Sequence, residues 1–330
     1  MTVEVGERAL PAEVPLPLLG RSTSRVGLGT GGLLRIPRSR QRQALLAGAL
    51  EAGITHFDTA PIYGFGESER ALGRFLRGRR SQVTLTTKFG LQPSWLAARL
   101  RPLQSTARQL VAAFPAVKRA AVAKASALYA APSFPLAGIR ASLEASLRAL
   151  QTDHVDFFLA HQASTQALPG EEVIGLLESL RAAGKIRAFG VATQLDWLMP
   201  VINARPGLGA VLQFDCQLQA RPVLPVSAYS GGSLIITYGY LGRSIAACRE
   251  RLHGEPGGEA DTQRLRGIER LDDEELAGLL LRGTVLANPN GIVLMQSRSI
   301  ARIARNVQAA NNPLEDERVH ALAALLEPQR

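Results

Sequence analysis

Four side chains in this 330-residue sequence could together move a proton at an oxygen atom: Asp58, Tyr63, Lys88 and His161. A free phenol has a pKa near ~10, which makes it a feeble acid or base at neutral pH. An ammonium beside it favours the phenolate and lowers that value; Lys88 can take this part. Asp58 can keep the lysine charged and oriented through a charge-assisted hydrogen bond. His161 can donate to a carbonyl oxygen and stabilise the negative charge that grows there. The chemistry that needs such a set is reduction of a carbonyl, or oxidation of the matching alcohol. Tyr63 would exchange a proton with the oxygen, and a nicotinamide cofactor would exchange a hydride with the carbon. Taken singly, each residue has a plainer role: a turn cap, a packed ring, a solvated lysine, a structural histidine. Their weight lies in where they fall.

They fall at the ends of β runs. Short β-branched or apolar runs alternate with Ala/Leu/Arg-rich stretches of helical spacing. Strands are predicted over Ser24 to Leu28, Ile54 to Asp58, Gln82 to Lys88, His154 to Ala160, Lys185 to Val191, Ala210 to Phe214, Ser233 to Thr237 and Gly291 to Leu294. Helices are predicted over Arg40 to Ala52, Glu67 to Arg77, Leu136 to Leu150, Glu172 to Ala183, Asp272 to Val285 and Ser299 to Ala310, with an extra C-terminal helix over Val319 to Leu326. Eight β runs, each followed by a helix or room for one, predict an α/β fold: a (β/α)8 TIM barrel. The segment around Leu18 to Ser22 suits an N-terminal β-hairpin closing the lower end. In a barrel of this class, reactive groups sit at the C-terminal ends of the strands, so the four candidates converge. The rival architecture is an open doubly wound sheet, which would place a G-x-G-x-x-G turn early. Gly27-Leu28-Gly29-Thr30-Gly31-Gly32 is a weak match, since Pro37 and a leucine pair follow instead of a helix.

Two insertions interrupt the alternation, at about 91–137 and 242–270, within one barrel domain spanning 1–330. The first is rich in Arg and Lys, has no acidic residue, and leaves the third strand at the mouth of the expected site. It reads as a substrate-shaping lid, with Trp95 and Phe65 as apolar walls, or as an added helical pair outside the barrel. The second contains Gly254-Glu255-Pro256-Gly257-Gly258 and reads as a flexible loop.

The net charge of +10 is spread along the chain, without a zinc-ligand framework or an RNA-binding aromatic motif. Attraction for a phosphorylated cofactor accounts for it, and nucleic acid is not expected as a partner. Cys216 and Cys248 form no CxxC pair and no disulfide framework. The first residues lack a basic stretch followed by an apolar run, and no apolar run approaches the ~20 residues needed to span a bilayer. The expected location is the cytoplasm, with no membrane partner. The oligomeric state is left open.

With these residues in view, the sequence resembles the aldo-keto reductases. The resemblance is carried by Leu19-Gly20-Arg21-Ser22, Gly27-Leu28-Gly29-Thr30-Gly31, and Phe57-Asp58-Thr59-Ala60 through Tyr63-Gly64. It continues in Gly66-Glu67-Ser68-Glu69, Thr87-Lys88, Ser142 to Leu147, Asp153 to His161, Gly184 to Val191, Gln213, and Ser297 to Asn306. It implies a catalytic tetrad of Asp58, Tyr63, Lys88 and His161, with His161 also touching substrate, a small carbonyl compound or alcohol. It implies a nicotinamide cofactor, NADP(H) preferred and NAD(H) possible, lying across the strand ends. The Gly29-Thr30-Gly31 turn and Asp58 would border it. Gln213 would bond its carboxamide, and Tyr238 would stack on its ring. Gly239, Tyr240, Leu241 and Gly242 would follow the pyrophosphate, and Gln296, Ser297, Arg302 and Asn306 would surround the adenosine end. That last group also suits an anion on physical grounds, at a helix N-terminus with a cation one turn on. Three positions depart from the family pattern. Ala192 and Thr193 replace a Ser-Asn pair at the carboxamide, Gln296 replaces a lysine, and Tyr238 to Gly242 lacks a proline.

Two other classes are weighed. One is a cofactor-binding regulatory or partner-binding module with weak or vestigial catalysis, against which the intact tetrad stands. The other is a metal-dependent hydrolase using His56, Asp58 and His161, for which no further ligand completes the set; no metal is expected.

Overall fold

The computed structural model describes residues 12–91, 131–216, 232–241, 244–253, 268 and 270–326. Eight parallel strands close a barrel: β3 (Val26–Gly29), β4 (His56–Asp58), β5 (Thr84–Phe89), β6 (Val155–His161), β7 (Ile186–Thr193), β8 (Val211–Asp215), β9 (Leu234–Tyr238) and β10 (Ile292–Met295), the last pairing back onto β3. Before them, β1 (Glu13–Leu16) and β2 (Arg21–Ser24) form an antiparallel hairpin. The turn between them passes through Gly20 at φ 61°, a conformation that suits glycine. The barrel and the hairpin match the expectation. The first run read from the sequence splits in two, with Ser24 ending the hairpin and β3 beginning at Val26.

The helices on the outside are α1 (Ser39–Glu51), α2 (Glu67–Leu76), α3 (Leu136–Leu150), α4 (Glu171–Ala182), α5 (Leu195–Ala204), α6 (Ser244–His253), α7 (Asp273–Ala287), α8 (Ile300–Asn311) and α9 (Asp316–Leu326). Two of these correct the sequence reading. Pro200 lies inside α5, and proline argues against a helix interior. The helix forms because Asp215 Oδ1 accepts the Leu195 N–H at 2.9 Å, while Leu198 and Val201 are fully buried. The second is α6, inside a stretch read as flexible loop. Cys248 and Leu252 anchor it in the core; the Gly/Pro run that suggested the loop lies outside the described residues. No described helix is long and apolar enough to cross a membrane.

Alternation along the strands divides the apolar residues into two cores. Facing out, Phe57, Leu85, Phe89, Phe158, Leu212 and Phe214 join the core beneath the helices. Facing in, Phe157, Leu159, Val211, Leu234, Ile236, Ile292 and Leu294 fill the barrel, and Val14 and Leu16 of the hairpin close it from below. One inward layer is polar: His56 Nδ1 lies 2.8 Å from Thr84 Oγ1, which lies 2.7 Å from Thr23 Oγ1. This layer engages His56. Among the described residues no group of three His, Cys, Asp or Glu could hold a metal ion.

Strand packing also requires a side chain to be missing at Gly190. A Cβ there would stand 1.9 Å from the Val211 carbonyl oxygen. Gly190→Ala is expected to cost about 3 kcal/mol or more, because the obstacle is backbone and cannot rotate away. Urea denaturation reads the loss, and an unchanged midpoint would show that β7 and β8 can separate freely.

Candidate active site

The period of two that builds the inner core also builds the site. Two residues beyond an inward-facing layer, five of the strands present a polar side chain. These are Asp58 after His56, Lys88 after Thr86, His161 after Leu159, Gln213 after Val211 and Tyr238 after Ile236. Register sets His161 opposite Ala192 and Ala192 opposite Gln213, while Asp58 lies opposite Thr86, Lys88 opposite Leu159 and Tyr238 opposite Asp215, a stagger of two residues at each of these strand pairs. Tyr63 enters from the turn after β4, where Tyr63 N donates to the Ala60 carbonyl at 3.0 Å.

Lys88 and Asp58 are 2 % and 3 % exposed. The Lys88 ammonium donates to both Asp58 oxygens at 2.7 Å and to the Thr59 carbonyl at 2.9 Å. Gln213 Nε2 donates to Asp58 Oδ2 at 2.8 Å, which leaves its own oxygen to accept from a ligand. Lys88 Nζ stands 5.2 Å from the centre of the Tyr63 ring, and His161 meets that ring edge-on at 6.1 Å. All four expected catalytic residues line one cavity of about 960 Å³.

Electrostatics correct one expectation. Lys88 does not draw the phenol down. Burial pushes the Tyr63 pKa up, and the Asp58 carboxylate adds to the rise; the nearby ammonium is hydrogen-bonded to that carboxylate. The phenol is therefore held in its protonated form. Burial lowers the Lys88 pKa, and Asp58 opposes that shift. His161 is pushed down to about 3 by burial, with Lys88 contributing, so the imidazole is neutral and can donate one N–H. Its Nδ1 is buried with no hydrogen-bond partner among the described residues, a cost that a ligand offering one would relieve.

His56 is likewise pushed down to about 3, by burial and then Lys88. Folded-state values below the ordinary 6.5 mean that the unfolded chain takes up protons that the fold refuses. Stability is then present above about pH 6.5 and lost as pH falls, by roughly 1.4 kcal/mol per pH unit for each imidazole. Buried Glu69, which accepts from Thr87 Oγ1 at 2.7 Å, is pushed up by burial. Its contribution runs the other way, present at low pH and lost as pH rises, and offsets at most one histidine. Denaturant midpoints should therefore fall between about pH 6.5 and pH 4.5. A flat profile there would mean that the buried imidazoles take up protons without unfolding.

A second pocket of about 310 Å³ opens beside β10 and the start of α8. It shares Gly29, Leu241 and Gln296 with the larger cavity, so the two meet along the Gly29 turn. Gly31, Tyr238, Gly239, Tyr240 and Thr193 line the larger space, while Thr30, Ser297, Arg302 and Asn306 line the smaller. Thr193 turns its hydroxyl away, donating to the Ala163 carbonyl at 2.6 Å; the next residue, Gln194, borders the cavity with it. Phe65 lies in the turn after β4. It sits between Gly64 and Gly66, all three at positive φ, and is not among the residues lining the cavity. Ile62 and Leu91 supply apolar wall there. Trp95 and Gly242, with residues 92–130 of the basic insertion, lie outside the described residues.

Sequence reasoning missed several lining residues. Gln162 and Gln194 each stand one position beyond a strand end, so counting one residue past each predicted strand would have found them. Arg305 follows Arg302 by three positions on α8, a helical spacing that puts both on one face. Asp273 and Glu274 belong to α7, and nothing in their local sequence links them to this pocket.

The family model described as Aldo/keto reductase family matches residues 25–327. The chain belongs to that family. This family member is 33% identical over 179 residues to the aldo-keto reductase YhdN of Bacillus subtilis, covering 52% of this chain and 44% of that one. To the methylglyoxal reductase YeaE of Escherichia coli it is 29% identical over 232 residues, covering 65% of each. The chain spans less than half the length of YhdN and of the aldo-keto reductase yakc of Schizosaccharomyces pombe, 44% and 45%. Among solved structures, an aldo-keto reductase of Klebsiella pneumoniae in complex with NADPH superposes with a TM-score of 0.63 at 23% identity, over 97% of this chain and 98% of that one. That likeness speaks for the fold.

Proposed function

We propose that this chain reduces aldehydes or ketones, or oxidises the corresponding alcohols, with a nicotinamide dinucleotide, and that Tyr63 is its general acid and base. One observation carries the reading: a phenol, a buried Lys–Asp pair and a neutral imidazole border a single cavity. The residues suit an extended dinucleotide. The larger cavity could take a nicotinamide, with the Gln213 oxygen as an acceptor for its carboxamide. The pocket beyond Gln296 could take the adenosine end, with arginines facing a phosphate. When bound, the cofactor supplies or accepts the hydride. NADP(H) is the preferred partner on the strength of those arginines, and NAD(H) is admitted.

The chain's own residues handle the proton. Tyr63 gives it to the carbonyl oxygen, the His161 N–H fixes that oxygen and stabilises the charge forming on it, and Lys88 with Asp58 sets the field around the phenol. The relatives named for their substrates act on carbonyl compounds, methylglyoxal among them. The test follows loss of NADPH and NADH absorbance in the presence of methylglyoxal and a panel of aldoses. Turnover above the cofactor-only rate supports the reading. Tight cofactor binding without turnover across the panel would favour a cofactor-binding module instead.

A further inference from the structure

The cations in the smaller pocket are not unopposed. Arg35, Arg298, Arg302 and Arg305 line it together with Asp273 and Glu274. Asp273 Oδ1 accepts from Arg249 Nε at 3.0 Å and from Nη2 at 2.8 Å, so its charge is engaged by a cation from α6. Glu274 is engaged differently. Its Oε2 pairs with Arg305 Nη2, and its Oε1 lies 4.0 Å from Arg302 Nε. The carboxylate at the start of α7 thus holds the two arginines that α8 presents to the pocket.

We propose that Glu274 sets how this chain discriminates a phosphorylated from an unphosphorylated dinucleotide. The inference rests on the dinucleotide reading above and goes beyond it. A phosphate monoester at neutral pH carries about −1.5 to −2 charges. Placed on Arg302 and Arg305, it meets a carboxylate already bound to them and must displace it against like-charge repulsion. A ribose hydroxyl is neutral and can donate to the same carboxylate, the role an acidic residue plays toward a 2′-hydroxyl in other dinucleotide sites. One side chain therefore penalises the 2′-phosphate and accepts the 2′-hydroxyl. Glu274 is 52% exposed, so solvent screens the interaction, and the effect is a graded preference with a strong salt dependence.

The test measures affinity, apart from activity. Wild type and Glu274→Gln are titrated by calorimetry with NADPH, NADH, 2′,5′-ADP and 5′-AMP at low and high salt. Glu274→Gln is expected to tighten NADPH and 2′,5′-ADP by roughly five- to tenfold at low salt. It should weaken NADH and 5′-AMP by about threefold or less, and the gap should narrow at high salt. Glu275→Gln removes a charge from the same helical turn, outside the pocket, and should change each ratio by less than about twofold. Thermal melts confirm that both variants fold. Equal shifts for phosphorylated and unphosphorylated ligands, no shift at all, or an equal effect from Glu275→Gln would overturn the role given to Glu274. Wild type that binds none of the four ligands would overturn the dinucleotide reading as well. Wild type that binds them, with a ratio unmoved by Glu274→Gln, would overturn this inference alone.

Discussion

Tyr63→Phe is expected to lower turnover in carbonyl reduction by roughly a thousandfold, within the range set by loss of a positioned general acid. The substitution removes one oxygen and keeps the ring. The ring's contacts, edge-on to His161 and 5.2 Å from the Lys88 ammonium, do not need the hydroxyl, so the cavity should keep its shape. Cofactor affinity, read by fluorescence titration, should then stay within about twofold of wild type. The pH dependence sharpens the test. Because burial and Asp58 push the phenol up, it stays protonated across the neutral range, and reduction should show no loss from phenol ionisation there. Alcohol oxidation needs the phenolate and should rise with pH. Turnover near the wild-type rate in Tyr63→Phe would remove Tyr63 from the mechanism, whatever becomes of the rest of the site.

Lys88→Met has the largest expected effect on stability. It strips the cation from a carboxylate that is 3% exposed and leaves Asp58 with the Gln213 amide as its remaining side-chain donor among the described residues. Breaking a buried ion pair by removing one partner costs about 3–5 kcal/mol, since the charge left behind is desolvated and unpaired. Replacing both partners by apolar groups of similar volume is often neutral. The double variant Asp58→Leu/Lys88→Met should therefore recover most of the stability lost by Lys88→Met, and none of the activity. Urea denaturation and an initial-rate assay on all three proteins separate the two roles. If Lys88→Met alone is as stable as wild type, the pair does not hold the fold together. If the double variant keeps wild-type turnover, the pair does not serve the chemistry.

Most of the barrel is legible in the order of the residues alone. β-branched runs alternating with amphipathic stretches report the local choice between strand and helix, and eight repeats of that choice leave few ways to bury both faces. The tetrad is legible for a related reason: Asp58, Lys88 and His161 end or abut runs whose inward period is two, so their side chains must share the open end. Two helices are not legible. α5 contains a proline that local rules penalise, and its capping group, Asp215, lies 20 positions downstream on another strand. α6 borders a Gly/Pro run that dominates the reading of its whole segment, while its burial through Cys248 and Leu252 depends on a core assembled from elsewhere.

The sequence by itself determined the barrel and the gathering of Asp58, Lys88 and His161 at its open end, with Tyr63 in the turn that follows Asp58, because both follow from short-range periodicity. Only the tertiary structure decided their electrical state. The Tyr63 pKa rises because burial disfavours the phenolate and the Asp58 carboxylate adds to the rise, while the nearby ammonium is bound at 2.7 Å to that carboxylate, 30 positions away on the neighbouring strand. The arginines of α8 meet an opposing carboxylate because α7 is packed beside them. Ionisation is set by what burial brings within a few ångströms, and that is a property of the packed molecule.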